Sequence, residues 1–319
     1  MTLSYFPRLL CISLATFFLV HLALGIGVAL IARQATRLGE SISPHTAARG
    51  LLALRLLPAA GAAFIVVAVC LPSYLWLEPD APTERVGFGC LLVALLGTAL
   101  WSVSIARGLR AAAGSRHFLR SCERAGRPAR LPGEPADAWI VDSAAPLLAI
   151  SGILRPRLLV SRGVVSALSA EQLAAALRHE RAHWTARDNL KRLCILLTPG
   201  ILPFTGGSRT LERGWRKFAE WSADDRAVAG DAHRSCALAA ALVRVARMTA
   251  AAGDTDQLAA RVDRLLREAP PSPDGEWPAD RRPVLAVSGV LLMAASLTAA
   301  ILLPATLYSV HAALEHLVE

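Results

Sequence analysis

Four long apolar segments constrain this chain more than any other feature of its sequence. They cover residues 9–32, 56–77, 86–106 and 283–310. Each is near or above the roughly 20 residues that a helix needs to cross the hydrocarbon core of a bilayer. The first segment is longer than the apolar core of a cleaved signal peptide, so we expect it to stay in the protein. The pattern predicts a mainly α-helical protein with four transmembrane helices, the last followed by a short tail up to residue 319.

The arginine residues predict how these helices are oriented. Four arginines lie between the first and second apolar segments and seven lie between residues 107 and 130, but residues 78–85 contain only one. Because basic loops stay on the cytoplasmic side, we expect residues 107–282 to be cytoplasmic and both termini to lie outside the inner (plasma) membrane of a bacterial cell. Topology thus accounts for the net charge of +9, and no basic stripe with interleaved aromatic residues indicates direct nucleic-acid binding.

The predicted cytoplasmic segment reads as a small α+β domain. Residues 107–135, rich in Arg, Gly and Pro, are predicted to be a connector. Three short apolar runs then predict a small sheet, at residues 138–142, 147–151 and 158–161. A helix is predicted from the N-cap Ser169, with Gln172 as its capping-box partner, through His183. Further helices are predicted at residues 211–229, 236–251 and 256–268. The apolar stretch 193–204, interrupted by prolines, is too short to span and is expected to pack on the domain or dip into the inner leaflet.

The sequence His179-Glu-Arg-Ala-His183 lies on the first of these helices. Residues four apart share one face of a helix, so both imidazoles can bind one tetrahedral zinc ion. Glu180 projects beside them and can act as the general base toward a water bound to that ion. Six cysteines without a CxxC pair support neither a cysteine zinc site nor a disulfide framework.

A second motif, Glu220-Trp-Ser-Ala-Asp224, lies on the next long helix. A catalytic zinc ion needs a third protein ligand, and Glu220 can supply it. Asp224, one turn later, can accept a hydrogen bond from the outer nitrogen of a ligand histidine and so fix its tautomer. The alternative interpretation is an exposed acidic patch formed by Glu220, Asp224 and Asp225.

The motifs together resemble the BlaR/MecR antirepressor family of integral-membrane gluzincin peptidases. The resemblance covers the whole layout of three helices, a protease domain and a fourth helix, and it is carried by residues 152–160, 168–173, 179–183, 187–190 and 220–224. It implies that His179, His183 and Glu220 bind Zn²⁺ and that Glu180 is the base. It also implies that a substrate pairs with the strand containing Leu158, Leu159 and Val160.

The chain departs from that family in two respects. Ala223 stands where the family often has cysteine, and Glu-x-x-Ala-Asp is closer to the related HtpX and CAAX prenyl protease group. The sequence also ends nine residues after the predicted fourth helix, so we expect no penicillin-binding sensor domain of its own and a separate sensor partner instead.

The sequence therefore predicts a membrane-embedded zinc metalloendopeptidase for regulatory proteolysis. Its expected partners are the lipid bilayer and a protein or peptide substrate, such as a transcriptional repressor, another membrane protein or the chain itself. Two other functions stay open: an HtpX-like membrane quality-control protease and a catalytically inactive membrane signalling scaffold. Transport is disfavoured because the apolar segments carry almost no charge in their cores.

Overall fold

The computed structural model describes residues 2–77, 84–130, 138–200, 206–249 and 255–267, together with residue 312. These residues are mostly helical, and three of their helices are long and apolar enough to cross a membrane. A small four-stranded sheet accompanies them, so the predicted fold class is confirmed. The predicted fourth span, residues 283–310, and the tail lie outside the described residues.

The three candidate membrane helices each extend beyond their apolar segments. Helix α1 spans Tyr5–Gly39 and α2 spans Pro44–Ile65. A π-helical turn, Val66–Cys70, joins α2 to α3, Leu71–Leu77, and α4 spans Phe88–Ala125. Two-residue strands, β1 (Thr2–Leu3) and β2 (Glu84–Arg85), pair next to the start of α1 and of α4.

The prediction of a connector at residues 107–135 is wrong for residues 107–125, because α4 continues without a break to Ala125. This stretch is rich in arginine and alanine, which are strong helix formers. The helix is also held from the side: the Leu197 side chain packs over Gly108, and Cys122 is buried against Val141 and Leu159 of the sheet. These contacts outweigh the two glycines that suggested a break.

Helices α1 and α2 form a hairpin that continues beyond their apolar segments and turns at residues 40–43. Helix α8, Gly207–Val228, packs along this hairpin. A Cβ atom on Gly207 would lie 2.8 Å from the Cα of Ala29, and one on Gly214 would lie 2.9 Å from the side chain of Leu51. Glycine at these positions therefore lets α8 approach both helices of the hairpin closely.

The sheet contains four strands: β3 (Gly126–Ala129), β4 (Ala138–Val141), β5 (Leu148–Ser151) and β6 (Arg157–Ser161). Their order is β3-β4-β6-β5, in which β4 and β6 are parallel and the other two pairs are antiparallel. The sequence predicts β4, β5 and β6, whereas β3 lies within the predicted connector.

The sheet order corrects the assignment of the substrate strand. Leu158, Leu159 and Val160 lie on β6, which is hydrogen-bonded to β4 on one side and β5 on the other. Leu159 and Val160 are fully buried. A strand paired on both sides offers no backbone groups to a peptide, so these residues cannot receive a substrate strand. Within the described part of the sheet, β5 is the edge strand next to the predicted site.

Five further helices complete the described chain: α5 (Arg162–Ala167), α6 (Ala170–Ala186), α7 (Asp188–Leu197), α9 (Ala232–Thr249) and α10 (Thr255–Arg267). The capping box between Ser169 and Gln172 is present at the start of α6, as predicted. Arg187, with a φ of 55°, forms a tight left-handed corner between α6 and α7. Helix α7 contains the described start of the apolar stretch 193–204, and it packs on α4 and α2.

Candidate metal centre

The Nε2 atoms of the two histidines on α6 lie close together. His179 and His183 are one helical turn apart, and their Nε2 atoms are 3.2 Å from each other. His179 is buried, whereas His183 is partly exposed. The alanine-rich helix with its capping box fixes the backbone that presents both rings, so the spacing predicted from the sequence becomes a pair of adjacent nitrogen donors.

Helix α8 brings Glu220 to this pair. One of its carboxylate oxygens lies 3.5 Å from Nε2 of His179, and the other lies 3.6 Å from Nε2 of His183. Ligands bound tetrahedrally to zinc at its usual bond lengths are separated by about 3.3 Å. The three side chains, all within 4.8 Å of one another, therefore fit a zinc ion with two imidazole ligands and one carboxylate ligand.

A carboxylate lies next to the Nδ1 atom of each histidine, on the side of the ring away from Nε2. Nδ1 of His179 is 2.9 Å from Oδ1 of Asp224, and Nδ1 of His183 is 2.7 Å from Oδ2 of Asp188. Such carboxylates orient metal-binding imidazoles and fix the tautomer that leaves Nε2 free for the metal. Asp224 lies where the sequence motif suggested. Asp188 belongs to a segment quoted for the family resemblance, but its role was missed because nothing in the sequence shows that Arg187 turns α7 back against α6.

The electrostatic environment keeps these carboxylates ionised. Burial alone would raise the pKa of Glu220 and of Asp224, but hydrogen bonds to His179 and other partners outweigh it and lower both. Burial opposes protonation of His183, yet its contacts with Asp188 and Glu220 raise the pKa of the ring to about 10. The pocket thus concentrates negative charge around two imidazoles, the setting in which a divalent cation is favourable.

Glu180 faces the same cavity from the next position on α6. Burial raises the pKa of its carboxyl group, the direction that suits a group exchanging protons near neutral pH. Its Oε2 accepts a hydrogen bond from the backbone N–H of Ile150 on β5, at 3.2 Å. Asn189 donates to the carbonyl groups of Ile150 and Gly152, so the edge strand is fixed to the site from two sides.

Arg261, on α10, is the main site residue that the sequence did not reveal. Its guanidinium group binds both oxygens of Asp224, at 2.9 and 2.7 Å, and one oxygen of Glu220, at 2.8 Å. A fork of this kind holds carboxylates in a fixed orientation. Arg261 follows Asp224 by 37 residues, and no local motif links the two, so only the packing of α10 could show the contact.

These residues line one cavity of about 690 Å³. Its described walls come from β5, α6, α7, α8, α9 and α10, and they include His179, Glu180, His183 and Glu220. Leu158, Leu159 and Val160 are not among the described residues that line it. The arrangement can therefore hold a metal ion, a general base and an edge strand within one cleft.

Comparison with known proteins gives one match. No curated protein and no solved structure matches this chain. The matching family model covers residues 116–262, a range that includes both histidines, Glu180, Glu220, Asp224 and Arg261. The model is described as Peptidase family M48, so residues 116–262 are similar to an M48 peptidase domain, a similarity that points to a metallopeptidase.

Proposed function

We propose that this chain is a membrane-embedded zinc metalloendopeptidase that performs regulatory proteolysis of a cytoplasmic or membrane protein. The observation that carries the proposal is the convergence of His179, His183 and Glu220 at separations suited to one tetrahedral ion. Each imidazole also has a carboxylate behind it, which an acidic surface patch would not require. The family match over residues 116–262 supports the same reaction class.

Zinc, when bound, supplies a Lewis acid that polarises the scissile carbonyl and makes a water molecule more acidic. Glu180 would take a proton from the attacking water and deliver it to the departing amine. An extended substrate segment can align with the edge strand β5 if it replaces the bonds that Glu180 and Asn189 make to the Ile150 backbone. Arg261 holds Glu220 and Asp224 in orientation during this chemistry.

We further propose that the protein lies in the inner (plasma) membrane of a bacterium, with its protease domain in the cytoplasm and both termini outside. The arginine bias of the sequence supports this orientation. The proposed targets are a repressor-like protein or the chain itself, as the BlaR/MecR resemblance suggests, and a separate partner acts as the sensor. Membrane quality control, as in HtpX-like proteases, is the second candidate, favoured by Ala223 in the motif Glu220-Trp-Ser-Ala-Asp224.

Replacement of the base tests the proposal. Glu180→Gln is expected to retain zinc and lose proteolysis, because the amide cannot accept the proton although the histidines and Glu220 are intact. The matched control is Glu171→Gln, an exposed glutamate on the same helix, which should change neither property. Zinc content by elemental analysis and cleavage by the purified protein in detergent are the two measurements. Zinc-loaded Glu180→Gln protein that cleaves like the parent would remove Glu180 from the mechanism, and zinc-free parent protein would favour a signalling scaffold.

The range of targets separates the two enzyme functions. Cells that produce the parent protein or the Glu180→Gln form would be compared for protein fragments present only with the parent. One or a few cleaved proteins are expected for regulatory proteolysis. Many unrelated fragments that increase under protein-damaging stress would instead identify a quality-control protease.

A further inference from the structure

Three arginines line one end of the catalytic cleft. Arg187 lies at the corner between α6 and α7, Arg192 lies on α7 and Arg216 lies on α8, and all three are exposed. Arg192 is one helical turn beyond Asp188, and Arg216 is one turn before Glu220. Their guanidinium groups therefore border the candidate metal centre without belonging to it.

This basic end faces the membrane helices. Helix α7 ends at Leu197, whose side chain packs on Gly108 of α4, and α8 begins at Gly207, which lies against Ala29 of α1. Arg192 and Arg216 are between these contacts and the metal-site residues on the same two helices. A substrate approaching the metal centre from the membrane side therefore passes the arginines.

The positive charge at this end is not neutralised by the described residues of the cleft. Asp188 is engaged by His183 and Lys191, and Glu220 by Arg261 and the two histidines. Glu180 accepts a hydrogen bond from the backbone N–H of Ile150 on β5. Among the ion pairs within the described ranges, none involves Arg187, Arg192 or Arg216. Positive charge lining a concave site attracts anionic ligands and raises their rate of association.

The opposite end of the cleft is apolar. Ala176, one turn before Glu180 on α6, and four residues of α9 line it: Leu238, Ala241, Leu242 and Val245. The cleft thus changes from basic to apolar across the metal centre. A substrate matching both ends carries negative charge on one side of the cleaved bond and an apolar side chain on the other.

We propose that the cleft selects peptide segments with acidic side chains on the membrane-facing side of the scissile bond and a large apolar side chain on the other side. The proposal rests on the peptidase function proposed above and names its substrate class. A peptide is favoured over an anionic lipid because the arginines share one cavity with the edge strand and the metal centre. Arg192 and Arg216 are four helical residues, about 6 Å, from Asp188 and Glu220. An extended chain rises about 3.3 Å per residue, so the acidic side chains belong about two residues from the cleaved bond.

Digestion of a peptide library by the zinc-loaded parent protein tests the substrate class without any variant. A mixture of peptides from a bacterial proteome would be digested in detergent, and the new ends would be identified by mass spectrometry. Asp and Glu should be enriched on one side of the cleaved bonds and apolar residues on the other. A matched peptide pair with Glu or Gln at the enriched position should differ about two- to fivefold in kcat/KM, a difference that shrinks as salt is raised.

Substitution of the arginines tests which residues recognise the negative charge of the substrate. Arg192→Gln with Arg216→Gln is expected to abolish the preference for Glu over Gln in that peptide pair. Arg116→Gln with Arg120→Gln is the control, because these two exposed arginines lie on α4 outside the cleft. Zinc content and the cleavage of the Gln peptide show that each variant is folded.

The outcomes are distinct for the two proposals. No cleavage of any peptide by zinc-loaded parent protein would contradict the proposed peptidase function. Cleavage without acidic enrichment, or a preference that survives in the Arg192/Arg216 variant, would overturn the assigned substrate class and leave the peptidase function standing. A loss of activity in that variant that is seen only in bilayers rich in anionic lipid would assign the arginines to the membrane surface instead.

Discussion

The carboxylates that orient the two candidate histidine ligands differ in how far they are exposed to solvent. Asp224, behind His179, has a side chain that is 1% exposed and is held by two bonds from Arg261. Asp188, behind His183, is 14% exposed and shared with Lys191. Because a metal-binding imidazole depends on its outer partner for tautomer and orientation, Asp188 is the partner that can be removed with less damage to the fold.

Asp188→Ala should weaken zinc binding about 10- to 100-fold, because His183 loses the group that orients its ring. Competition with a chromophoric chelator would measure the affinity. Asp263→Ala is a suitable control, since this exposed carboxylate pairs only with Arg267 among its described contacts. Equal affinities for the Asp188 and Asp263 variants would show that His183 needs no such support.

Glu220→Ala should lower the zinc content of the purified protein, because two imidazoles alone leave the ion with half of its usual tetrahedral ligands. Glu171→Ala, on the exposed face of α6, should retain the parent zinc content. Zinc content would be determined after dialysis against a weak chelator. A fully loaded Glu220 variant would mean that another group supplies the third ligand.

At the scale of elements, Arg55 of α2 joins the membrane helices to both helices that approach the metal centre from the membrane side. Its side chain is 1% exposed. It donates to the carbonyl groups of Ile195, Thr198 and Pro199 at the end of α7 and pairs with Glu212 of α8 at 3.0 Å. Positive charge at a helix C-terminus is favourable, so Arg55 stabilises the end of α7. Asp188 lies on this same helix, and Glu220 lies on α8 beyond Glu212.

Arg55→Met should destabilise the protein by about 3–5 kcal/mol, because Glu212 and several buried carbonyl groups would lose their partner. Lys217→Met is the matched control. It removes an exposed ion pair between α8 and Glu40, which follows the end of α1, at 2.7 Å. Such pairs contribute at most about 1 kcal/mol. Thermal unfolding of both variants in one detergent makes the comparison. Equal midpoints would show that Arg55 does not connect these elements.

Local signals made most of these elements predictable, whereas long-range packing decided the rest. The capping box at Ser169 and the spacing of His179 and His183 depend on neighbouring residues, so the sequence could reveal them. The continuation of α4 depends on contacts with Leu197 and the sheet. The central position of β6 depends on pairing with β4, and the contact of Arg261 depends on the packing of α10. None of these has a local sequence signature.

The whole molecule has a core that crosses the predicted domain boundary at residue 107. Val28, Ala32 and Leu51 of the α1–α2 hairpin form one buried cluster with residues of α7 and α8: Ile195, Leu211, Trp215, Phe218 and Ala219. Removing the hairpin would expose this face of α8 to water, and exposed apolar surface of this kind leads to aggregation. The structure thus makes the proposed protease domain dependent on the membrane helices for part of its core.

A fragment of residues 107–282, produced without the first 106, is therefore expected to aggregate. Residues 1–282, prepared in the same detergent, are the control and should give a single species in size-exclusion chromatography. A monodisperse, zinc-binding 107–282 fragment would show that the shared core is dispensable.

The length of α8 also sets the distance between the candidate metal centre and the apolar segment of α1. Glu220 follows Gly207 by 13 residues, about 20 Å of helix, and Gly207 touches Ala29, about 5 Å before the end of the first apolar segment. The candidate metal centre therefore lies about 15 Å beyond that end along the helices, a distance that four or five extended residues cover. A fixed distance of this kind would favour peptide bonds that lie equally far from the membrane. A membrane-tethered target would then be cut only where the chain between its membrane anchor and the cleaved bond is long enough to reach the metal centre.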